Sequence, residues 1–315
     1  MTRAKKVKQE RRAQATPPPR PPRWRAGWLL PVAGVVAAIL AGVLFWQTSR
    51  DREVAASEDG PVHVHGLGID PADGVLFIAT HAGLFRIGTG EDKAIRVGDR
   101  HQDTMGFTIV GPHRFLGSGH PDLQEMRDEG LPSRLGLIES TDAGASWQPI
   151  SLSGEADFHV LRSAGQRVYG YDASNDRLLE SADSGRTWRQ LGQPGSIFDV
   201  APDPSDSQRL VAVAGSEAEQ GLYESRDAGR SWSRLGEQIA LLAWPTPTRL
   251  YLLDGNGFVS RSPDGGRTFE PRGQLGGQPA ALLAHGPEEL YAALHDGTIK
   301  RSTDGGATWV TRSTP

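Results

Sequence analysis

The chain has 315 residues, including 39 Gly and 22 Pro, with 23% charged residues and a net charge of −4. That length holds one large domain or two ordinary ones, and the Gly and Pro content points to many turns. With no cysteine, disulfide scaffolds, Cys-ligated zinc, thiol catalysis and a lipid-modified cysteine anchor are excluded.

Residues 1–26 hold nine Lys or Arg against one acid, Glu10, so this tail carries about +8 and the remainder about −12. Within it, PPPRPP at Pro17–Pro22 predicts an extended, disordered stretch. Residues 27–46 read GWLLPVAGVVAAILAGVLFW and carry no charge. As a helix they span about 30 Å, the thickness of a bilayer core. Trp24, Trp28 and Trp46 stand at the ends, where interfacial aromatics belong. A single transmembrane helix is therefore expected. The basic tail in front of it places the N-terminus in the cytoplasm and the rest outside. Cleavage as a signal peptide near Val54–Ala56 is the alternative. Against it, the apolar run is longer than a signal core, and Arg50, Asp51, Arg52 and Glu53 intervene. Residues 47–60 form a polar linker, and residues 61–315 the exported domain.

In that domain five segments share the pattern Ser-x-Asp-x-Gly-x-Thr/Ser-aromatic: STDAGASW (140–147), SADSGRTW (181–188), SRDAGRSW (225–232), SPDGGRTF (262–269) and STDGGATW (302–309). Their starts lie 41, 44, 37 and 40 residues apart, the spacing of four-stranded propeller blades. The pattern has a structural logic. Asp142, Asp183, Asp227, Asp264 and Asp304 accept backbone N–H groups of a tight turn. The Gly takes positive φ, the hydroxyls satisfy further backbone groups, and the aromatic opens the outer strand and packs between blades. Residues 62–98 supply a sixth unit without the pattern, read as strands VHGLGID, VLFIATH, GLFRIG and AIRVG. The expected fold is all-β: a six-bladed propeller of four-stranded blades, behind the disordered tail and the membrane helix.

The pattern is the Asp-box, or BNR repeat, and the exported domain resembles the Asp-box β-propellers, which include sialidases, sortilin-type receptors and photosystem assembly factors. Sialidase chemistry would imply three arginines, a Tyr–Glu nucleophile pair and an acid Asp, the first arginine lying in Phe-Arg-Ile-Pro. Here Phe85-Arg86-Ile87-Gly88 lacks the proline, and Tyr169, Tyr223, Tyr251 and Tyr291 recur at packing positions. No catalytic set assembles, so the sialidase likeness concerns the fold and no catalytic residue is assigned. HVHGLG, ATHAGLF, DTMGF, SGHPD and DFHVL also resemble a bacterial exported branch labelled glycosyl hydrolase-like.

Seven of the nine histidines fall between His63 and His159. Aligned first strands put His65, Met105, His159, Asp199, Leu241 and Ala281 on the channel. Two residues earlier, on the same side, come His63, Asp103 and Asp157 in blades one to three and Ile197, Ile239 and Pro279 in blades four to six; blades five and six are largely apolar at these positions, so the expected site is one-sided. The ends of second strands add His81 and His120. His65, His81, Asp103, Met105, His120 and His159 are thus candidate metal ligands, with His63 and Asp157 supporting. Imidazole, carboxylate and thioether suit copper or zinc better than calcium. A hydrated channel without metal is the bland alternative, and no cofactor is certain. The insertion HPDLQEMRDEGLPSRLG (120–136) is expected over the same face, as a lid or as a variable loop.

Three functions remain open: an extracytoplasmic module binding a protein or carbohydrate ligand, a metal-binding protein, and a glycoside hydrolase using Asp103, Asp122 or Asp157. The enzyme reading is the least favoured. An acidic exported domain gives no basis for nucleic-acid binding.

Overall fold

The structure, a computed structural model, describes residues 60–216 and 219–315. The basic tail, the expected membrane helix and all but the last residue of the linker lie outside the described residues. Among the described residues no helix is long and apolar enough to cross a membrane.

Among the described residues, twenty-four strands form six separate four-stranded antiparallel sheets. Blade one is β1 to β4 (Val64–Ile69, Leu76–Thr80, Gly83–Ile87, Ile95–Arg96), and blade two is β5 to β8 (Asp103–Gly111, Arg114–His120, Leu137–Ser140, Gln148–Ser151). Blade three is β9 to β12 (Phe158–Ala164, Arg167–Asp172, Arg177–Ser181, Arg189–Gln190), and blade four is β13 to β16 (Ser196–Pro202, Leu210–Gly215, Gln220–Ser225, Ser233–Gly236). Blades five and six are β17 to β20 (Ala240–Thr246, Arg249–Asp254, Phe258–Ser262, Glu270–Gln274) and β21 to β24 (Pro279–Ala284, Leu290–Leu294, Ile299–Ser302, Val310–Ser313). One short helix, α1 (Leu123–Asp128), interrupts the β6–β7 connection. Each first strand packs on the first strand of the next blade, and β21 packs back on β1. The expected blade count and strand order are those observed.

The core lies between blades rather than within them. Six apolar clusters each join two neighbours. Between blades two and three, for example, Leu116 and Leu137 meet Phe158, Leu161 and Leu179. The last junction closes the ring: Val64, Leu67, Ile78 and Phe85 of blade one pack on Ala281, Tyr291, Ala293 and Ile299 of blade six. No strand is shared across it, since both blades are built from consecutive strands. Polar contacts on the rim reinforce it. Arg312 donates to the carbonyls of Gly88, at 2.9 Å, and Glu91. Gly297, at φ +87°, lies so close to the Pro61 carbonyl that a Cβ would approach its oxygen to 2.5 Å.

The five box turns repeat one hydrogen-bond set. Ser181 Oγ accepts from Gly185 N at 2.7 Å and donates to Asp183 Oδ1 at 2.7 Å. Asp183 Oδ1 accepts Thr187 N at 2.8 Å, and Asp183 Oδ2 accepts the Thr187 hydroxyl at 2.7 Å. The sequence reading gave both hydroxyls to the backbone. Only the first serves it; the second binds the carboxylate and fixes its orientation. These bonds hold Asp183, Asp227 and Asp304 down to about 2, so the turns stay charged and capped until the pH falls through that value. The box aromatics stand just before the outer strand. Trp188 packs on Phe158 with ring centroids 4.8 Å apart, and its Nε1 donates to Ser151 Oγ of the previous blade at 2.9 Å. The boxes are thus structural, and they occupy the face opposite the starts of the first strands.

Ser181 is fully buried. Ser181→Ala strands the Gly185 N–H and is expected to lower stability by about 1–3 kcal/mol, read as a shifted urea midpoint with unchanged slope. An unchanged midpoint would show that the turn does not depend on this hydroxyl.

Candidate functional site

First strands enter the channel through a bulge. Register skips one residue opposite β2, β6, β10, β14 and β22, leaving His65, Met105, His159, Phe198 and Ala280 as the extra residues. A bulge re-aims its side chain, so these five point into the mouth. The strict alternation assumed from sequence therefore fails in blades four and six, where Phe198 and Ala280, not Asp199 and Ala281, match His65. Asp199 is instead buried, 2.8 Å from Arg162 Nη2 and accepting Leu242 N at 2.9 Å, and so ties blades three, four and five together. His63 precedes β1 with φ 53° and lies outside the strand.

Two groups form from the predicted residues. In the first, Asp103 opens β5 and meets His81 at the end of β2. Its Oδ1 is 2.8 Å from His81 Nδ1 and 3.9 Å from His65 Nε2. The His65 and His81 rings stand edge to face at 4.2 Å, with His63 beside His81 at 5.6 Å. One donor atom from each of His65, His81 and Asp103 falls within 4.8 Å of the others. Gly119 allows the approach of these strands: at φ +141°, any Cβ would lie 2.0 Å from the Asp103 carbonyl oxygen.

The second group centres on Asp157. His159 Nε2 lies 3.0 Å and His120 Nε2 3.3 Å from its Oδ2. Asp157, expected as a supporting residue, is the shared partner of both histidines. His120 Nδ1 contacts the Ser133 carbonyl at 2.7 Å and must donate there. Burial pushes the Asp157 carboxyl up, but the His159 hydrogen bond and the charges of His120 and Arg134 outweigh it and hold the group below its usual range. Met105 has the bulge position in the intervening blade.

Burial, reinforced by the neighbouring His81, pushes His65 down from 6.5 to about 4 despite the opposing pull of Asp103. Its imidazole is therefore neutral at physiological pH. His65 Nε2, Asp103 Oδ1 and Asp157 Oδ1 are withdrawn from solvent without a hydrogen-bond partner.

The insertion closes on blade two through α1. Asp122 caps it, accepting Gln124 N at 2.7 Å and Glu125 N at 2.8 Å, while Glu125 accepts Asp122 N at 2.8 Å. Arg100 ties the helix down by pairing with Glu125 and Glu129. Burial raises the Asp122 carboxyl, yet these backbone bonds keep it below its usual value. Asp122 is a helix cap, not an acid poised for glycoside cleavage, which needs a raised value. Leu123 remains 76% exposed on this helix.

The apolar side of the same face, expected from Ile239, also includes Phe198 and Phe258, which strand alignment does not single out. Phe198, Ile239 and Phe258 are each about half exposed, at 46%, 51% and 52%. Ile239 and Phe258 border a pocket of about 220 Å³ with Leu252 and Phe269. The sequence signal was present: a Phe one residue before Asp199, and an Ile ahead of β17. A larger cavity, about 970 Å³, opens at the box end of the channel, lined by residues such as Leu67, Leu161, Arg162 and Trp244; it holds none of the predicted site residues.

Tyrosine–glutamate pairs do occur. Tyr291 OH donates to Glu289 at 2.7 Å, and Tyr251 OH to the Pro287 carbonyl at 2.7 Å. Burial and the carboxylate push Tyr291 up to about 12, the opposite of what a nucleophile needs. Arg86 lies on β3, as an ordinary strand residue.

No family model and no curated protein matches the chain. Solved structures do. A YCF48 structure bound to D1 peptide is 18% identical with TM-score 0.50, over 80% of this chain and 82% of that one. A structure from a nidogen/laminin complex is 14% identical with TM-score 0.60, over 76% and 93%. The GH74 xyloglucanase from Xanthomonas campestris is 18% identical with TM-score 0.52, over 80% of this chain but only 45% of that enzyme. At these identities the likeness establishes the fold, a β-propeller consistent with the expected sialidase-like Asp-box class.

Because His65 has a depressed folded value, the unfolded chain binds the extra proton between pH 6.5 and about 4. Its contribution to stability is complete above 6.5 and is lost as the pH falls through that window. From pH 7.5 to 5 in metal-free buffer, the native protein is expected to lose on the order of 2 kcal/mol more than His65→Gln, read from urea unfolding. Equal losses would mean that His65 titrates as a hydrated imidazole.

Proposed function

We propose that the protein is a ligand-binding module, tethered outside the membrane by residues 27–46, whose channel mouth receives a segment of polypeptide. The divided character of that mouth carries the reading. Histidines with Asp103 and Asp157 occupy blades one to three, while exposed Phe198, Ile239 and Phe258 occupy blades four and five. A polypeptide offers apolar side chains and polar backbone within one ligand, matching such a surface. Exposed apolar groups beside a polar rim are a mark of interaction sites. The D1 peptide held by the YCF48 neighbour is an analogy at the level of fold, and fold alone does not set function.

A carbohydrate ligand is the competing occupant, as in the xyloglucanase neighbour. Hydrolysis would require one carboxyl raised to act as an acid. Asp122 and Asp157 are both held low, which favours binding over cleavage.

A photocrosslinking side chain placed at Phe198 or Ile239 of the full-length protein in cells is expected to give a discrete polypeptide adduct. The same probe at Arg186, on a box turn, should give none. Reducing sugar released from a β-glucan by the purified protein, and lost in Asp103→Asn or Asp157→Asn, would overturn the binding reading in favour of a hydrolase. For the tether, a reporter active only in the cytoplasm is expected to be silent when fused after Pro315. An active fusion would remove the extracytoplasmic assignment.

A further inference from the structure

We infer that His65, His81 and Asp103 bind one divalent transition-metal ion of the zinc and copper class, held at the channel mouth with a coordination position open to the ligand. This rests on the ligand-binding reading of that face, and it narrows six predicted donors to three.

Geometry comes first. One donor atom from each residue lies within 4.8 Å of the other two, so an ion placed among them could reach all three at about 2.0–2.2 Å after small side-chain shifts. The three come from two blades: His65 from the bulge of β1, His81 from the end of β2, and Asp103 from the start of β5. His65 and Asp103 stand on strand backbone, and His81 in the tight turn that follows β2.

Availability comes second. His65 Nε2 and Asp103 Oδ1 are shielded from solvent yet make no hydrogen bond. His81 Nδ1 is only 2.8 Å from that oxygen but is not aligned to satisfy it. Leaving buried polar atoms unpaired is costly, and a cation among them would satisfy each.

The rest of the molecule provides the contrast. Several other buried carboxylates are met by guanidinium groups: Glu180 by Arg167 and Arg189, Asp172 by Arg177, and Glu224 by Arg209 and Arg226. Arginine carries a permanent charge that repels a cation. At the mouth the fold uses imidazoles instead. Asp70, Asp73 and His113 also lie close together, but Asp70 already accepts Ala72 N, His113 N and His113 Nδ1, and Asp73 accepts Val75 N. That group is a clasp between hairpins with no lone pair left wanting. His159 and His120 are likewise engaged, by Asp157 and Ser133.

Two imidazoles and one carboxylate, without thiolate, match sites in which zinc keeps three protein ligands and an open fourth position. Nitrogen-rich sets of this kind select zinc or copper over calcium. The side chain of His81 is 47% exposed, so the open position faces the mouth, where a carboxylate or imidazole of a bound polypeptide could complete the sphere.

The test uses full-length protein in detergent, stripped with chelator and titrated with Zn²⁺ and Cu²⁺ by calorimetry, with Co²⁺ absorption as a report on coordination. The native protein is expected to bind one equivalent and to give cobalt bands typical of nitrogen and oxygen ligation. His65→Ala/His81→Ala should weaken binding by more than the roughly 10–100-fold that loss of an outer partner costs, and Asp103→Asn should abolish the cobalt bands while leaving the thermal unfolding transition in place. His113→Ala and His120→Ala/His159→Ala should bind within about threefold of native, since neither removes a ligand. The inference is overturned if the native protein binds no better than His65→Ala/His81→Ala, or if affinity is lost in His120→Ala/His159→Ala instead. Photocrosslinking at Phe198 separates the two readings. Adducts that persist without metal binding overturn the metal site alone; metal binding without adducts overturns the polypeptide reading alone.

Discussion

The ring depends on apolar wedges between blades. Each sheet has only four strands and exposes two faces, and neither can be left wet. Placing one face against the next blade buries both, and repeating this six times returns the sixth sheet to the first. No ladder of backbone hydrogen bonds crosses the final junction. Closure therefore rests on side-chain fit among residues such as Phe85, Ile78, Tyr291 and Ile299, aided at the rim by Arg312. Interiors of this kind are close-packed, so each junction constrains the angle of the next. A ring that closes by packing needs nearly equal wedges, so the long insertion of blade two falls in the β6–β7 connection and leaves its four strands intact.

The same constraint divides the two ends of the channel. At the box end, polar side chains are consumed by the turns: Ser, Asp and Thr hold each hairpin in a conformation that bends back on the second strand. At the other end, first strands begin and second strands finish, and no repeated turn motif consumes their side chains, although single residues such as Asp172 and Thr80 still brace the backbone. A bulge in five of the six first strands turns one residue of each toward the mouth. Blade five lacks it there, and its register shift falls near the far end of β17. Chemistry accumulates at the mouth because the fold leaves that end free while holding its backbone still.

This explains which features could be seen in the sequence. Five boxes at blade spacing reveal five of the blades because each turn uses the same set of Ser, Asp, Gly and Thr or Ser groups. The boxless first blade was legible from its alternating apolar strands. The clustering of histidines was legible too, since strand order alone sends His65, Asp103 and His159 to one end. Their grouping was not. An extra residue in a strand has no marker in composition, and it moved the register from Asp199 to Phe198. Contacts between ends of neighbouring blades decide that Asp103 belongs with His65 and His81, while Asp157 takes His120 and His159. Ile239 was legible from the strand alignment, but Phe198 and Phe258 were hidden for another reason: an exposed Phe and a packed Phe look alike until burial is known.

The placement of the two carboxylates carries the last step. A buried carboxylate needs a compensating partner, and this fold has abundant arginine to supply one. It does so for Glu125, Glu180, Asp199 and Glu224, all in positions that brace the scaffold. Asp103 and Asp157 instead face imidazoles, which can be neutral, can donate or accept, and can ligate. Asp157 has one oxygen, Oδ2, bonded by His159, although its Oδ1 is left without a partner. Asp103 Oδ1 has no hydrogen bond, and neither does Nε2 of the neutral His65 that faces it. Scaffold charges are permanently neutralised, whereas the mouth leaves Asp157 Oδ1 and the facing pair of Asp103 Oδ1 and His65 Nε2 unsatisfied on a rigid frame. Such a pair costs stability in isolation and recovers it only when something binds. The apolar half of the mouth has the same character, since Phe198, Ile239 and Phe258 lose exposed surface only against a partner. Both halves are unfinished on one face of the ring, and one ligand lying across the channel would complete them together.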